Sequence, residues 1–136
     1  KENTRMKIPV FGNGDVSDPQ SAKIKKEKYN VDGIMIGRGA IGNPWIFNQI
    51  KEYLNSNTLK DEPKIAEKIE IVLTHLKLSI EWKGAKLGIL EMRRHYSNYF
   101  RNLPEIKKHR TDLVQMEDYN SLVEKLHKLK YIYKNY

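Results

Sequence analysis

The sequence contains no cysteine. Disulfides, thiolate metal ligands and a cysteine nucleophile are therefore excluded within these residues, and a reducing cytoplasm is the default compartment. No apolar run approaches the length needed to span a membrane. Lys1-Glu2-Asn3-Thr4-Arg5 leads straight into an expected strand and has no secretory character. His75, His95 and His109 lack the spacing of a metal motif. Neither an acid–base pair nor a nucleophile triad can be assembled, so the chain offers no catalytic residue. If it belongs to an enzyme, the reacting groups lie upstream of Lys1.

Positive charge is in excess. Lysine and arginine total 25 against 17 acidic residues, for a formal net charge of +8. The excess falls in residues 1–60 and 84–136, while 61–83 is close to neutral. Such a distribution suits a polyanionic partner such as nucleic acid. A solvated, lysine-rich surface is the alternative.

Two glycine clusters organise the first half: Gly12-Asn13-Gly14-Asp15 and Gly37-Arg38-Gly39-Ala40-Ile41-Gly42. Residues 7–11 precede the first and read as a short buried parallel strand. Val31 to Ile36 precedes the second and reads as the next strand. Ser17 or Asp18 can cap a helix with Pro19 in its first turn, running to about Tyr29, with Ala22 and Ile24 among its few apolar positions. Asn43 can cap the next helix with Pro44 at its first position and Trp45, Ile46, Phe47, Ile50 and Leu54 as its apolar face. The pattern is two successive βα units with glycine loops at the C-terminal ends of the strands.

Asn55-Ser56-Asn57-Thr58 is polar and reads as a linker over 55–60. Helical spacing alone follows. Asp61 begins a helix with Glu62 and Pro63 in its first turn; Ile65, Ile69, Val72, Leu73, Leu76 and Ile80 carry it to about Trp82, and Lys83-Gly84 breaks it. A third helix spans about Ala85 to Asn102, using Leu87, Leu90, Tyr96 and Tyr99. A short helix covers about Glu105–Leu113. The last starts near Glu117, with Leu122, Leu126, Leu129 and Tyr133 on one face. Short connections imply antiparallel neighbours and a four-helix bundle over 61–136.

Two βα units alone leave both edges of a parallel sheet exposed. Residues 1–54 therefore read as the end of a (β/α)₈ barrel, whose last two strands commonly form a phosphate site. Lys1 in place of an initiator methionine agrees with the C-terminal part of a longer chain. The missing barrel segment, or another chain, is expected to pair with the exposed strands.

Glycine lets a backbone approach an anion closely, and Arg38 can add a charge-assisted contact. Asp15 beside a phosphate is unfavourable unless its carboxylate turns away to brace the loop through backbone hydrogen bonds. The alternative is a pair of ordinary turns that let helix and strand pack closely. In the helical half, Arg93, Arg94, His95, Arg101, Lys107, Lys108 and Arg110 interleave with Tyr96, Tyr99 and Phe100. Basic and aromatic residues together suit looped RNA. Tyr96 and Tyr99 read as core, the cations as the nucleic-acid contact, and the lysines of the last helix as a solvated face.

Ile8-Pro9-Val10-Phe11-Gly12-Asn13-Gly14-Asp15-Val16 and the stretch Asp32 to Phe47, with its Gly42-Asn43-Pro44-Trp45 continuation, resemble the end of the barrel in tRNA-dihydrouridine synthases. Arg93-Arg94-His95, Tyr99 and Leu103-Pro104 resemble the basic segment of that family's helical domain. The resemblance covers nearly all of the chain. It implies a flavoenzyme that reduces specific tRNA uridines to 5,6-dihydrouridine with FMN and NADPH. A cysteine and a lysine of the upstream barrel, absent here, would serve as proton donor and cofactor contact. It further implies that Asn13, Gly14, Asp15, Gly37, Arg38 and Gly39 bind FMN and its phosphate. Gly39 replaces a frequent alanine, which would leave the same room for phosphate. The seven basic residues would contact tRNA. By itself this part is expected to be inactive. The alternative is a non-catalytic RNA-binding helical module on a degenerate barrel, with a small-molecule FMN oxidoreductase as a weaker third reading.

Overall fold

A computed structural model describes residues 7–136; the reading of Lys1–Arg5 lies outside these. The described residues form two short strands, six α-helices and a single 3₁₀ turn, in two compact units divided in sequence between Asp61 and Glu62. No helix among them is long and apolar enough to cross a membrane.

In the first unit, β1 (Phe11–Asn13) and β2 (Gly33–Met35) are parallel, with Phe11 opposite Gly33, Gly12 opposite Ile34 and Asn13 opposite Met35. This is the strand-helix alternation expected, and it is compatible with part of a (β/α)₈ barrel. The expected strand over 7–11 overlaps β1 only at Phe11. Val10 is tied differently: its N–H donates to the Asp32 carboxylate at 2.8 Å, and its carbonyl accepts from Asp32 and Gly33. Nor is the segment buried, since Ile8 is 70% and Phe11 68% exposed. A two-stranded sheet buries only the face its helices cover.

Helix α1 (Pro19–Tyr29) begins as expected. Asp18 accepts from the Ser21 N–H at 2.7 Å, Pro19 follows it, and Asn30 closes the helix in the left-handed conformation. Ala22 is buried, but Ile24 faces solvent. Helix α2 (Ile46–Ser56) starts later than the expected Asn43 cap. Asn43 instead sits in a turn whose carbonyl accepts from the Ile46 N–H, and its side-chain Oδ1 is buried without a partner. The helix then runs into the expected linker, where Asn57 caps it. Val16, Ala22, Ile46 and Ile50 form the core of this unit, flanked by Ile34, Ile36, Ala40 and Leu54.

In the second unit, α3 (Ile65–Lys83) packs on α4 (Ala85–Tyr99) and on α6 (Tyr119–Ile132), and α4 packs on α5 (Ile106–Gln115). Helix α3 starts after Pro63 rather than at Asp61. The Glu67 carboxylate accepts from the Lys64 N–H at 3.1 Å and so fixes the first turn there. Gly84 is the sole residue between α3 and α4, at φ 79° and ψ 161°, a conformation closed to side-chain-bearing residues. Helix α4 ends at Tyr99, short of Asn102, which turns left-handed at φ 60°.

The apolar face of α4 differs from expectation. Ile89, Met92, Tyr96 and Tyr99 are buried, while Leu87 and Leu90 are more than half exposed. Gly88 is the reason: it sets the side of α4 that meets α3, and the helix rotates to put the glycine inward. Ile65, Ile69, Val72 and Leu76 of α3 and Leu122, Leu126, Leu129 and Tyr133 at α6 are buried as their spacing predicts.

Candidate phosphate site and candidate nucleic-acid interface

The parallel register brings the two glycine loops side by side. After β1 the chain passes through Gly14 and Asp15; after β2 it passes Gly37 into a 3₁₀ turn over Arg38–Ala40. A Cβ at Gly14 or Gly37 would meet nothing within 4 Å, so both backbones look onto open space. Gly39 is different. A Cβ there would collide with the main-chain carbonyl of Val16. Glycine and alanine are thus not interchangeable here: Gly39 lets the second loop press against the first.

Arg38 reaches back and donates through Nη2 to Asp15 Oδ1. The sequence reading had the Asp15 carboxylate bracing its loop through backbone N–H groups; it accepts from Arg38 instead. Both side chains remain more than 80% exposed, so the pair is solvated and worth little by itself. Lys25 of α1, which sequence reasoning missed, braces the same loop by donating to the Asp15 carbonyl at 2.8 Å. Only its place two turns beyond the capped start of α1 could have pointed to it. The six predicted residues Asn13, Gly14, Asp15, Gly37, Arg38 and Gly39 thus form one edge.

A wide cavity of about 620 Å³ lies elsewhere, lined by Lys23, Lys26, Glu27, Asp32, Lys51 and Asn55 among others. It sits where α1 and α2 end. The partial negative charge of helix C-termini and the two carboxylates oppose an anion there.

In the helical unit, ion pairing sorts the cations. Lys125, Lys128 and Lys130 of α6 pair with Asp112, Glu124 and Glu70. Among the described residues, no carboxylate pairs with Arg94, Arg101, Lys107, Lys108 or Arg110. Arg93 departs from its predicted group: it pairs with Glu117 at 3.4 Å, its side chain is 29% exposed, and its Nε is buried without a partner. Arg101 donates through Nη2 to Oδ1 of the neutral Asn98.

His95 packs inward. Its ring lies 4.8 Å from that of His75 across the α3–α4 seam, and Arg94 Nε donates to its Nε2 at 3.3 Å. His75 Nδ1 is 3.0 Å from the Tyr99 hydroxyl. Burial and then the nearby Arg94 hold His75 below the usual 6.5; burial, then His75 and Arg94, do the same for His95. The 20-residue separation of the pair hid this contact from sequence reasoning; a shared position on antiparallel helices is its only signal. No group of histidines and carboxylates among the described residues could hold a metal ion. Tyr96, Tyr99 and Phe100 are buried, so they serve the core and do not stack on RNA. Burial pushes the Tyr99 hydroxyl up to about 12.

Paired glycine loops on adjacent parallel strands, joined in sequence to a basic helical unit, define an α/β chain with an appended all-α segment. The family model for dihydrouridine synthase (Dus) matches residues 1–135, and the chain belongs to that family. It is 37% identical over 121 residues to a probable tRNA-dihydrouridine synthase of Rickettsia conorii, covering 89% of this chain and 37% of the relative. It is 36% identical over 113 residues to tRNA-dihydrouridine synthase B of Pseudomonas putida, covering 83% and 34%. The match to tRNA-dihydrouridine synthase B of Shewanella oneidensis is 35% over 122 residues, covering 88% and 38%. The chain thus spans little more than a third of the length of the curated relatives it matches.

Proposed function

We propose that this chain supplies the phosphate end of an FMN site and a tRNA-contacting surface to a tRNA-dihydrouridine synthase. The observation that carries the reading is the juxtaposition of the two glycine loops, with Arg38 suspended over their shared edge. The residues fit the group: the backbones at Gly14 and Gly37 are sterically open, and Arg38 is accessible to exchange Asp15 for a phosphate. Bound FMN would supply hydride to the uracil ring, with NADPH as the source of reducing equivalents. This chain's residues would hold the phosphate and orient the flavin. Proton donation would fall to residues outside this sequence.

The helical unit supports the tRNA half of the reading through Arg94, Arg101, Lys107, Lys108 and Arg110, none of which forms an ion pair with a carboxylate among the described residues. A polyanion gains most from cations that no carboxylate already satisfies. The test is the full-length protein: bound flavin measured by absorbance and fluorescence, and dihydrouridine formed in tRNA with NADPH. Flavin binding without uridine reduction favours a small-molecule oxidoreductase. Absence of flavin with tRNA binding retained favours an RNA-binding module.

A further inference from the structure

We infer that Trp82, at the tip of the α3–α4 hairpin, is a stacking platform for an unpaired base of the bound RNA. The inference rests on the tRNA reading above and names a contact that reading does not include.

Trp82 is 82% exposed, at the penultimate position of α3. An indole in a helix of this kind ordinarily buries most of its surface. The core leaves it out because Ser79 and Gly88 bring the two helices too close for a large ring between them. Ser79 Oγ donates to the Gly88 carbonyl at 3.3 Å, and a Cβ on Gly88 would stand 2.7 Å from the Ile80 backbone.

The ring is nevertheless held. Lys83 Nζ lies 4.7 Å from the Trp82 ring centroid and 2.6 Å from Glu91 Oε2 on α4. The Glu91 carboxylate anchors the ammonium, and the ammonium covers one face of the indole. Most of the residue is left to solvent. A flat aromatic surface fixed in advance loses little entropy when a base stacks on it.

The charge around it selects the partner. Lys83 and Glu91 neutralise each other, while Lys86 in the first turn of α4 has no carboxylate ion pair among the described residues. Aromatic surface beside unsatisfied cations is the pattern of single-stranded nucleic-acid contacts: π-stacking to the base and ionic contact to the backbone. Tyr131 on α6 provides a matched contrast. It is 75% exposed and also carries a lysine, Lys134, at 5.3 Å. Lys134 has no carboxylate ion pair among the described residues, but the other lysines of that helix, Lys125, Lys128 and Lys130, are already paired with acids.

The test measures tRNA affinity of the full-length protein at several salt concentrations for wild type, W82A, W82F and Y131A. W82A should weaken binding about 5- to 100-fold, the range for losing one stacked base. Its salt slope should match wild type, because no phosphate contact is removed. W82F should recover most of the affinity, and Y131A should stay within about twofold. Wild-type affinity left unchanged by W82A overturns the inference and leaves the tRNA reading standing. Equal losses from W82A and Y131A also overturn it. So does a fall in melting temperature in W82A without RNA, which would make Trp82 a packing contact of the protein itself. Wild-type protein with no tRNA affinity removes both readings.

Discussion

Gly88 of α4 lies against the backbone of Ile80 in α3, so that a Cβ at position 88 would stand 2.7 Å from both the nitrogen and the Cα of Ile80. No rotamer relieves a clash with main chain; the helices must part. Gly88→Ala gains about 1 kcal/mol in helix propensity. Overpacking against rigid backbone costs about 1–3 kcal/mol. Separation of the helices also weakens the Ser79–Gly88 hydrogen bond. The expected net effect is a loss of about 1–2 kcal/mol, which thermal or urea unfolding would register. A variant as stable as the parent would show that the seam tolerates a wider spacing.

Across that seam, burial and Arg94 lower the proton affinity of both His75 and His95, and His75 lowers that of His95 further. Their depressed affinity for protons fixes the sign of the pH effect. The unfolded chain takes up protons as pH falls through 6.5, and the folded chain resists them. Stability is therefore full above that value and declines below it. Glu91 opposes the shift at both rings, and Arg94 reinforces it. Melting curves between pH 7.5 and 5 should show the decline, on scales set by the general behaviour of histidine at about 6.5. His75→Gln together with His95→Gln should flatten it. A wild-type curve that is already flat would exclude charge burial at this seam.

Much of this arrangement was legible from local signals. Asp18-Pro19 marked the start of α1, the glycines marked both loops, and Leu122, Leu126 and Leu129 marked the buried side of α6. Local chemistry misled where tertiary contacts decide. Asn43-Pro44 has the form of a helix cap but is used as a turn, and Leu87 and Leu90 follow helical spacing but face outward because Gly88 must face in. The carboxylate partners of Arg38 and Arg93 were invisible, since Asp15 and Glu117 are more than twenty residues away from them. The length of the strands was overestimated because a ladder depends on a neighbour, and among the described residues only 11–13 and 33–35 have one.

At the proposed phosphate edge, Arg38→Ala in the full-length protein should weaken FMN by about 1.5–3 kcal/mol, the scale of one charge-assisted hydrogen bond. Asp15→Asn should act in the opposite direction. It removes a negative charge beside the phosphate and frees Arg38 from a solvated pair worth at most about 1 kcal/mol. Affinity should hold or rise. Flavin fluorescence titration separates the cases. Equal losses from both variants would mean that Asp15 orients Arg38 and that the ion pair survives in the complex.

The ion-pair pattern of the helical unit makes the last prediction quantitative. Among the described residues, five cations of the predicted surface form no ion pair with a carboxylate, Arg94, Arg101, Lys107, Lys108 and Arg110, while Arg93 is engaged by Glu117. If all five neutralise phosphates, log affinity for tRNA should fall against log salt with a slope of about −3.5 to −4.5. Neutralising Arg94 and Arg101 to glutamine should flatten that slope by about 1.5–2. Neutralising Lys128 and Lys130 changes the net charge by the same amount, but Glu124 and Glu70 already engage these side chains. Their slope should stay close to wild type. Arg93→Gln should leave the slope nearly unchanged and lower stability, because it strips a half-buried side chain of its Glu117 contact. Filter binding over a salt series, with a melting curve for each variant, checks all four outcomes. Identical flattening by the α4 and α6 pairs would reduce the surface to a diffuse field and remove any defined contact at Arg94.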